Sequence, residues 1–146
     1  MLLTDVNVLI YAHRAESPEH AAYARWLTDT VNGREPFGLS ELVLSSVVRI
    51  VTNPRVFKTP TPLETVLAFV RALLARPNAV RLRCGPRHFQ IFEQLCRETS
   101  ASGKLVADAY HAALAIEHGC EWVTTDGDFG RFPGLRVRHP LHPRHR

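Results

Sequence analysis

Cysteine is scarce in this chain and never paired in sequence. Cys84, Cys96 and Cys120 are odd in number, widely spaced and without a Cys-x-x-Cys unit. That pattern argues against a disulfide framework or a zinc site and leaves three small side chains expected to be buried in a reducing compartment. Long apolar runs are missing too. The stretch Met1–Tyr11 is interrupted by Asp5 and Asn7 and has no basic leader, so neither a secretory signal nor a membrane span is expected, and the cytoplasm is the expected location. Repeats, low-complexity tracts and long linkers are absent as well. What remains is a 146-residue chain, 45% apolar and 22% charged, long enough for one domain with its own core.

Lysine is nearly absent. Only Lys58 and Lys104 accompany sixteen arginines, and the net charge is +4. Arginine forks onto phosphate oxygens, so the balance permits nucleic-acid binding, although the same bias also follows from genome base composition. Aspartate is rarer still, at five residues. Four of them, Asp5, Asp108, Asp126 and Asp128, sit in or beside strongly apolar segments, where an unpaired carboxylate is costly to bury. A shared cation is the most economical reason to place them there.

The apolar pattern predicts short strands separated by helices. Leu2–Thr4 reads as a buried strand ending in Asp5, with a helical turn over Val6–His13. Ser17-Pro18-Glu19 reads as a helix start, the helix running to about Thr30. Leu39-Ser40-Glu41 opens an apolar helix with Leu42, Val43, Ser46, Val47 and Ile50 inward. Thr61-Pro62-Leu63-Glu64 opens another. A strand follows over residues 80–83, a helix from Pro86 to about Thr99, and a helix over Val106–His118 closed by Gly119. Then come a strand over Glu121–Thr125, a loop over Phe129–Gly134 and a last strand over Leu135–Arg138. The expected class is α/β with a mostly parallel sheet, one domain over residues 1–138 and a basic, frayed tail over 139–146.

Ligands of such sheets bind beyond the carboxyl ends of the strands. Asp5 and Asp126 are expected there, and Glu41 and Asp108 sit near helix starts, which face the same crevice. Four hard oxygen donors converging on one place suit Mg²⁺ or Mn²⁺, and the chemistry expected is metal-activated water attacking a phosphodiester. No Ser–His–Asp or Cys–His set competes for the nucleophile.

Several segments together resemble one family. Leu3-Thr4-Asp5-Val6-Asn7-Val8-Leu9-Ile10 resembles the Asp-x-Asn-x-Leu opening of PIN-domain proteins. Ser40-Glu41 resembles their second acidic position. Val106-Ala107-Asp108-Ala109-Tyr110-His111 and Val123-Thr124-Thr125-Asp126-Gly127-Asp128-Phe129 resemble the third and fourth. Order, spacing and nearly the whole length match, and the VapC toxins of type II toxin–antitoxin systems are the nearest group. The resemblance implies a PIN-like three-layer fold and a homodimeric Mg²⁺-dependent endoribonuclease, with Asp5, Glu41, Asp108 and Asp126 around one or two ions. It implies accessory roles for Asp128, Asn7 and Thr125, structured tRNA or rRNA as substrate, and a VapB-type antitoxin as partner. Lys104 departs from the pattern, standing where an uncharged polar residue such as Asn is expected, and it could touch RNA phosphate.

Plainer readings stand beside these. Asp128 and Asn7 are also good turn formers, and Glu41 is a dipole-favoured first-turn acid. His111 and His118 are expected to be packed rather than metal-bound, and His139, His142 and His145 to be tail composition. Trp26 and Trp122 are expected in the core or at a dimer contact. One or two of Arg14, Arg49, Arg55 and Arg131 are expected to grip phosphate. Two rivals remain: a PIN-fold module that binds RNA or a partner without cutting, and a haloacid-dehalogenase-type phosphatase. The second wants Asp-x-Asp, and position 7 is Asn.

Overall fold

The computed structural model describes residues 1–142. Five short segments pair into one sheet: β1 (Leu2–Thr4), β2 (Phe37–Ser40), β3 (Ala79–Leu82), β4 (Glu121–Val123) and β5 (Arg136–Arg138). Their order is β3-β2-β1-β4-β5, and every pairing is parallel. Parallel neighbours need crossovers, and helices supply most of them. α1 (Val6–His13) and α2 (His20–Asn32) join β1 to β2. α3 (Glu41–Val51) and α4 (Leu63–Leu74) join β2 to β3, and α5 (His88–Thr99) and α6 (Lys104–Glu117) join β3 to β4. A single 3₁₀ turn over Gly127–Arg131 connects β4 to β5. The expected α/β class, a parallel sheet flanked by helices, is therefore the one found.

This winding fixes where a site can form. The chain steps from β1 outward to β3, then crosses back to lay β4 on the other side of β1. The strand order reverses between β1 and β4, and the crevice beyond their carboxyl ends is the switch point of the sheet. Leu3, Leu39, Trp122 and Val123 fill the core together with Val8, Leu9, Val43 and Val47. Ala109, Ala112 and Ala113 present only methyl groups from the buried face of α6, which packs on α5 and β4.

Several boundaries differ from the sequence pattern. β2 was not expected. Phe37-Gly38-Leu39-Ser40 is buried at every residue, so it shows no alternation, and a Cβ at Gly38 would lie 2.8 Å from Leu82 Cδ1 and 3.2 Å from Leu2 O. α2 starts at His20 rather than at Ser17, because Glu19 adopts a left-handed conformation (φ 56°) that ends the preceding turn. On α3 the inward residues are Val43, Leu44, Val47 and Val51, whereas Leu42 faces out. α6 begins at Lys104, two residues before the expected start, and β4 ends at Val123. Cys120 is buried as expected, but Cys84 is exposed.

The first residues of the expected frayed tail pack on the domain. The His139 ring lies 6.4 Å from Tyr23, and Leu141 rests against the core. His145 lies outside the described residues. No helix among the described residues is long and apolar enough to cross a membrane.

Candidate active site

Asp5 is the exit of β1 and the cap of α1 at once. Its Oδ1 accepts the Val6 N–H at 2.7 Å, and its Oδ2 accepts the Thr124 hydroxyl at 2.6 Å. Its own N–H donates to Val123 O at 2.8 Å, which locks the end of β1 to the end of β4. Burial pushes the Asp5 carboxyl above the usual range. The Thr124 and Val6 donors pull against that shift, and Asp108 adds to it.

Asp108 lies on α6 and is buried. Burial raises its carboxyl as well; Lys104 works to lower it, while the Asp126 charge pushes it up. Asp126 follows β4 and caps the 3₁₀ turn, its Oδ1 accepting the Asp128 N–H at 2.9 Å. The Asp126 N–H in turn donates to Thr124 Oγ1 at 3.0 Å. One threonine hydroxyl thus holds Asp5 on one side and the Asp126 backbone on the other.

Lys104 lies between two of these acids. Its ammonium is 2.8 Å from Asp126 Oδ2 and 3.5 Å from Asp108 Oδ2. The hydrogen bond to Asp126 raises the lysine, and Lys104 and the Asp128 N–H together hold Asp126 below the usual carboxylate range. His111, one turn beyond Asp108, stacks on Trp122 with ring centroids 5.5 Å apart. Burial pushes its imidazole down, although Asp5 and Asp108 favour the charged form. Its Nδ1 is buried with no hydrogen-bond partner among the described residues.

The other expected residues are placed differently. Glu41 opens α3 but turns to the arginines of and after β3: its Oε1 lies 3.1 Å from Arg83 and 3.6 Å from Arg81, and its side chain is 49% exposed. Asn7 is exposed on the first turn of α1, with no side-chain hydrogen bond among the described residues. The hydroxyl that reaches Asp5 belongs to Thr124, not to Thr125. Asp128 is exposed, 4.0 Å from Arg131. Arg14 is not free to grip a phosphate. It is buried, pairs with Glu16, donates to Thr59 O at 2.8 Å and Thr61 Oγ1 at 3.1 Å, and stacks 3.9 Å over Phe57. Trp122 is fully buried, Trp26 partly so, and His118 Nε2 donates to Arg83 O at 2.7 Å.

The residues present suit a hard divalent cation in part. The donors are carboxylates, two of them are raised by burial, and an ammonium already stands between Asp108 and Asp126 in the manner of a stand-in cation. Glu41 does not join them. Among the described residues, no three His, Cys, Asp or Glu side chains gather closely enough to cage a metal. Thr124 and the arginine pair around Glu41 were missed from sequence. The i, i+2 spacing of Arg81 and Arg83 was the available signal, since it directs both side chains to one side of the chain.

A parallel sheet with carboxylates gathered at its switch point defines the class. Residues 2–135 match the PIN domain family, and the chain belongs to it. Within that family its relatives are VapC ribonucleases. It is 49% identical over 141 residues to VapC ribonuclease Mb2897 of Mycobacterium bovis, covering 97% of this chain and 96% of that protein. It is 41% identical over 142 residues to ribonuclease VapC31 of Mycobacterium tuberculosis, covering 97% and 100%. In fold it is similar to a chain of VapBC2 from Rickettsia felis bound to a promoter DNA fragment, with a TM-score of 0.68, 19% identity and 94% and 96% of the two chains covered.

Proposed function

We propose that this chain is a Mg²⁺-dependent endoribonuclease, the toxin half of a VapBC-type pair. The observation that carries the reading is the linkage of Asp5, Thr124 and Asp126 at the switch point, with Asp108 alongside. Family membership and the names of the relatives support it. Mg²⁺, or Mn²⁺ in its place, would supply an activated water and neutralise charge on the scissile phosphate. Asp5 and Asp108 are the residues that would hold it, and Asp126 would join them once it leaves Lys104. Thr124 keeps Asp5 in one orientation, and Glu41 can contribute once it leaves Arg83. Exposed Arg49, Arg55 and Arg131 are available to hold RNA phosphates.

The substrate on this reading is structured RNA, tRNA or rRNA, cut in the cytoplasm by a homodimer. The VapBC2 neighbour supports a VapB-type antitoxin as partner. One observation favours a second reading, a PIN-fold module that binds without cutting: Glu41 is tied to arginines rather than facing the other acids.

Total bacterial RNA incubated with the chain separates the two. Discrete fragments that require Mg²⁺ and disappear with EDTA or with Asp108→Ala establish the nuclease. Folded wild-type chain that binds RNA without cutting it, in Mg²⁺ or Mn²⁺, establishes the module.

A further inference from the structure

Lys104 is placed where a helix disfavours a cation. It is the first residue of α6, where unpaired N–H groups carry partial positive charge. Its side chain is 71% exposed, so burial does not hold it in place. Two carboxylates hold it instead, and both present the same kind of atom, Asp126 Oδ2 at 2.8 Å and Asp108 Oδ2 at 3.5 Å. Asp108 is one helical turn further along α6, while Asp126 comes from the turn that follows β4. A single ammonium therefore bridges two acids from different elements, at the position a divalent ion shared by them would take.

We propose that Lys104 is a built-in counter-cation that fills the Asp108–Asp126 position, so that the chain takes up one divalent ion per protomer rather than two. The inference rests on the metal-dependent reading above. An ion bridging Asp108 and Asp126 would have to displace the ammonium from both Oδ2 atoms, against like-charge repulsion at close range. Asp5 and Asp108, both buried, would hold the one ion. The lysine also relieves the repulsion between Asp108 and Asp126 when no metal is bound, which lets the cleft form before a cation arrives.

The test is Mn²⁺ binding to the full chain stripped with EDTA and dialysed, followed by calorimetry and by the electron paramagnetic resonance of free Mn²⁺. Wild type and Lys104→Arg, which keeps the charge, are expected to bind one ion per chain. Lys104→Met, which keeps the stem and removes the charge, is expected to bind a second ion per chain. Circular dichroism and thermal melting of each variant check the fold, which an exposed side chain should not perturb. Equal, measurable binding by wild type and Lys104→Met overturns the inference and leaves the metal-dependent reading standing. Absence of Mn²⁺ binding in all three proteins overturns both.

Discussion

The Thr124 hydroxyl donates to Asp5 Oδ2 at 2.6 Å, joining the first and fourth strands of the sheet across 119 positions of sequence. The same oxygen accepts the Asp126 N–H, so one side chain sets the spacing of two acids. Thr124→Val keeps the shape and removes the hydroxyl. It leaves the Asp126 N–H without its acceptor and Asp5 without a donor. The expected loss is about 1 to 3 kcal/mol in urea unfolding, with a fall in RNA cleavage. Thr124→Ser should restore both, and a variant Thr124→Val with wild-type stability and activity would remove the threonine from the site.

Asp5 and Asp108 should separate in stability while agreeing in activity. Asp5 caps α1 and accepts two hydrogen bonds, so Asp5→Ala is expected to cost about 1 to 2 kcal/mol despite the relief of burying one charge fewer. Asp108 is buried beside Asp5 and Asp126, offset chiefly by an exposed lysine and less by His111. Asp108→Asn should leave metal-free stability unchanged or higher. Both variants should abolish cleavage, and a strongly destabilised Asp108→Asn would contradict the electrostatic picture.

A pH dependence follows from the raised carboxyls. Asp5 and Asp108 titrate above the ordinary value of 3.8, chiefly because they are buried. The folded state therefore holds their protons more tightly than the unfolded chain does. Their contribution favours folding below 3.8 and is lost as pH rises through the folded values. Melting in EDTA should accordingly show this contribution fading as the pH rises above 3.8. Asp108→Asn should flatten that part of the profile, and added Mg²⁺ should recover stability at neutral pH. A profile identical in wild type and Asp108→Asn would count against it.

Arg14 and Arg83 are two arginines with opposite expected behaviour. Arg14 is buried and bonded to Thr59 and Thr61, so Arg14→Ala should cost about 2 to 4 kcal/mol. Arg83 makes an exposed pair with Glu41, so Arg83→Ala should change stability by no more than about 1 kcal/mol. Its effect belongs on metal affinity instead, since Glu41 loses the nearer of its two arginines and only Arg81, at 3.6 Å, still draws it from the cleft. Calorimetric Mn²⁺ titration of Arg83→Ala, unchanged from wild type, would show that Glu41 takes no part.

Glu117 shows a buried acid with a structural role. Its carboxylate accepts the Gly85 N–H at 2.7 Å and the Arg87 N–H at 2.9 Å, which closes the loop before α5 onto the end of α6. Burial works to raise the group, but those two donors outweigh it and leave it lowered. Glu117→Ala should cost about 1 to 3 kcal/mol in urea unfolding without touching RNA cleavage. A parallel loss of cleavage in folded protein would tie this loop to the cleft.

What sequence could show and what it could not divide along physical lines. Asp5 was legible because a buried strand, an acid and a helix start follow one another within a few residues. Asp108 was legible because a carboxylate in an alanine-rich helix face is conspicuous. β2 was not, since a four-residue strand buried on both faces has no period and carries a glycine. Glu41 was placed correctly on its helix, yet its direction depends on Arg81 and Arg83, which only the β2–β3 pairing brings near. Thr124 rather than Thr125 faces Asp5 because β4 ends at Val123, a one-residue matter of register. Lys104 was visible as an oddity, but its reach to Asp126 needed the fold.

The pairing of β1 with β4 also has a consequence in time. Asp5 is synthesised 119 positions ahead of Thr124, and translation adds roughly 5 to 20 residues per second. For the several seconds in between, the nascent chain can bury α1 through α4 but has no fourth strand to set against β1. The acid cleft consequently matures only once β4 has emerged, and a chain made as far as α4 holds Asp5 without the Thr124 and Asp126 that complete its bonding.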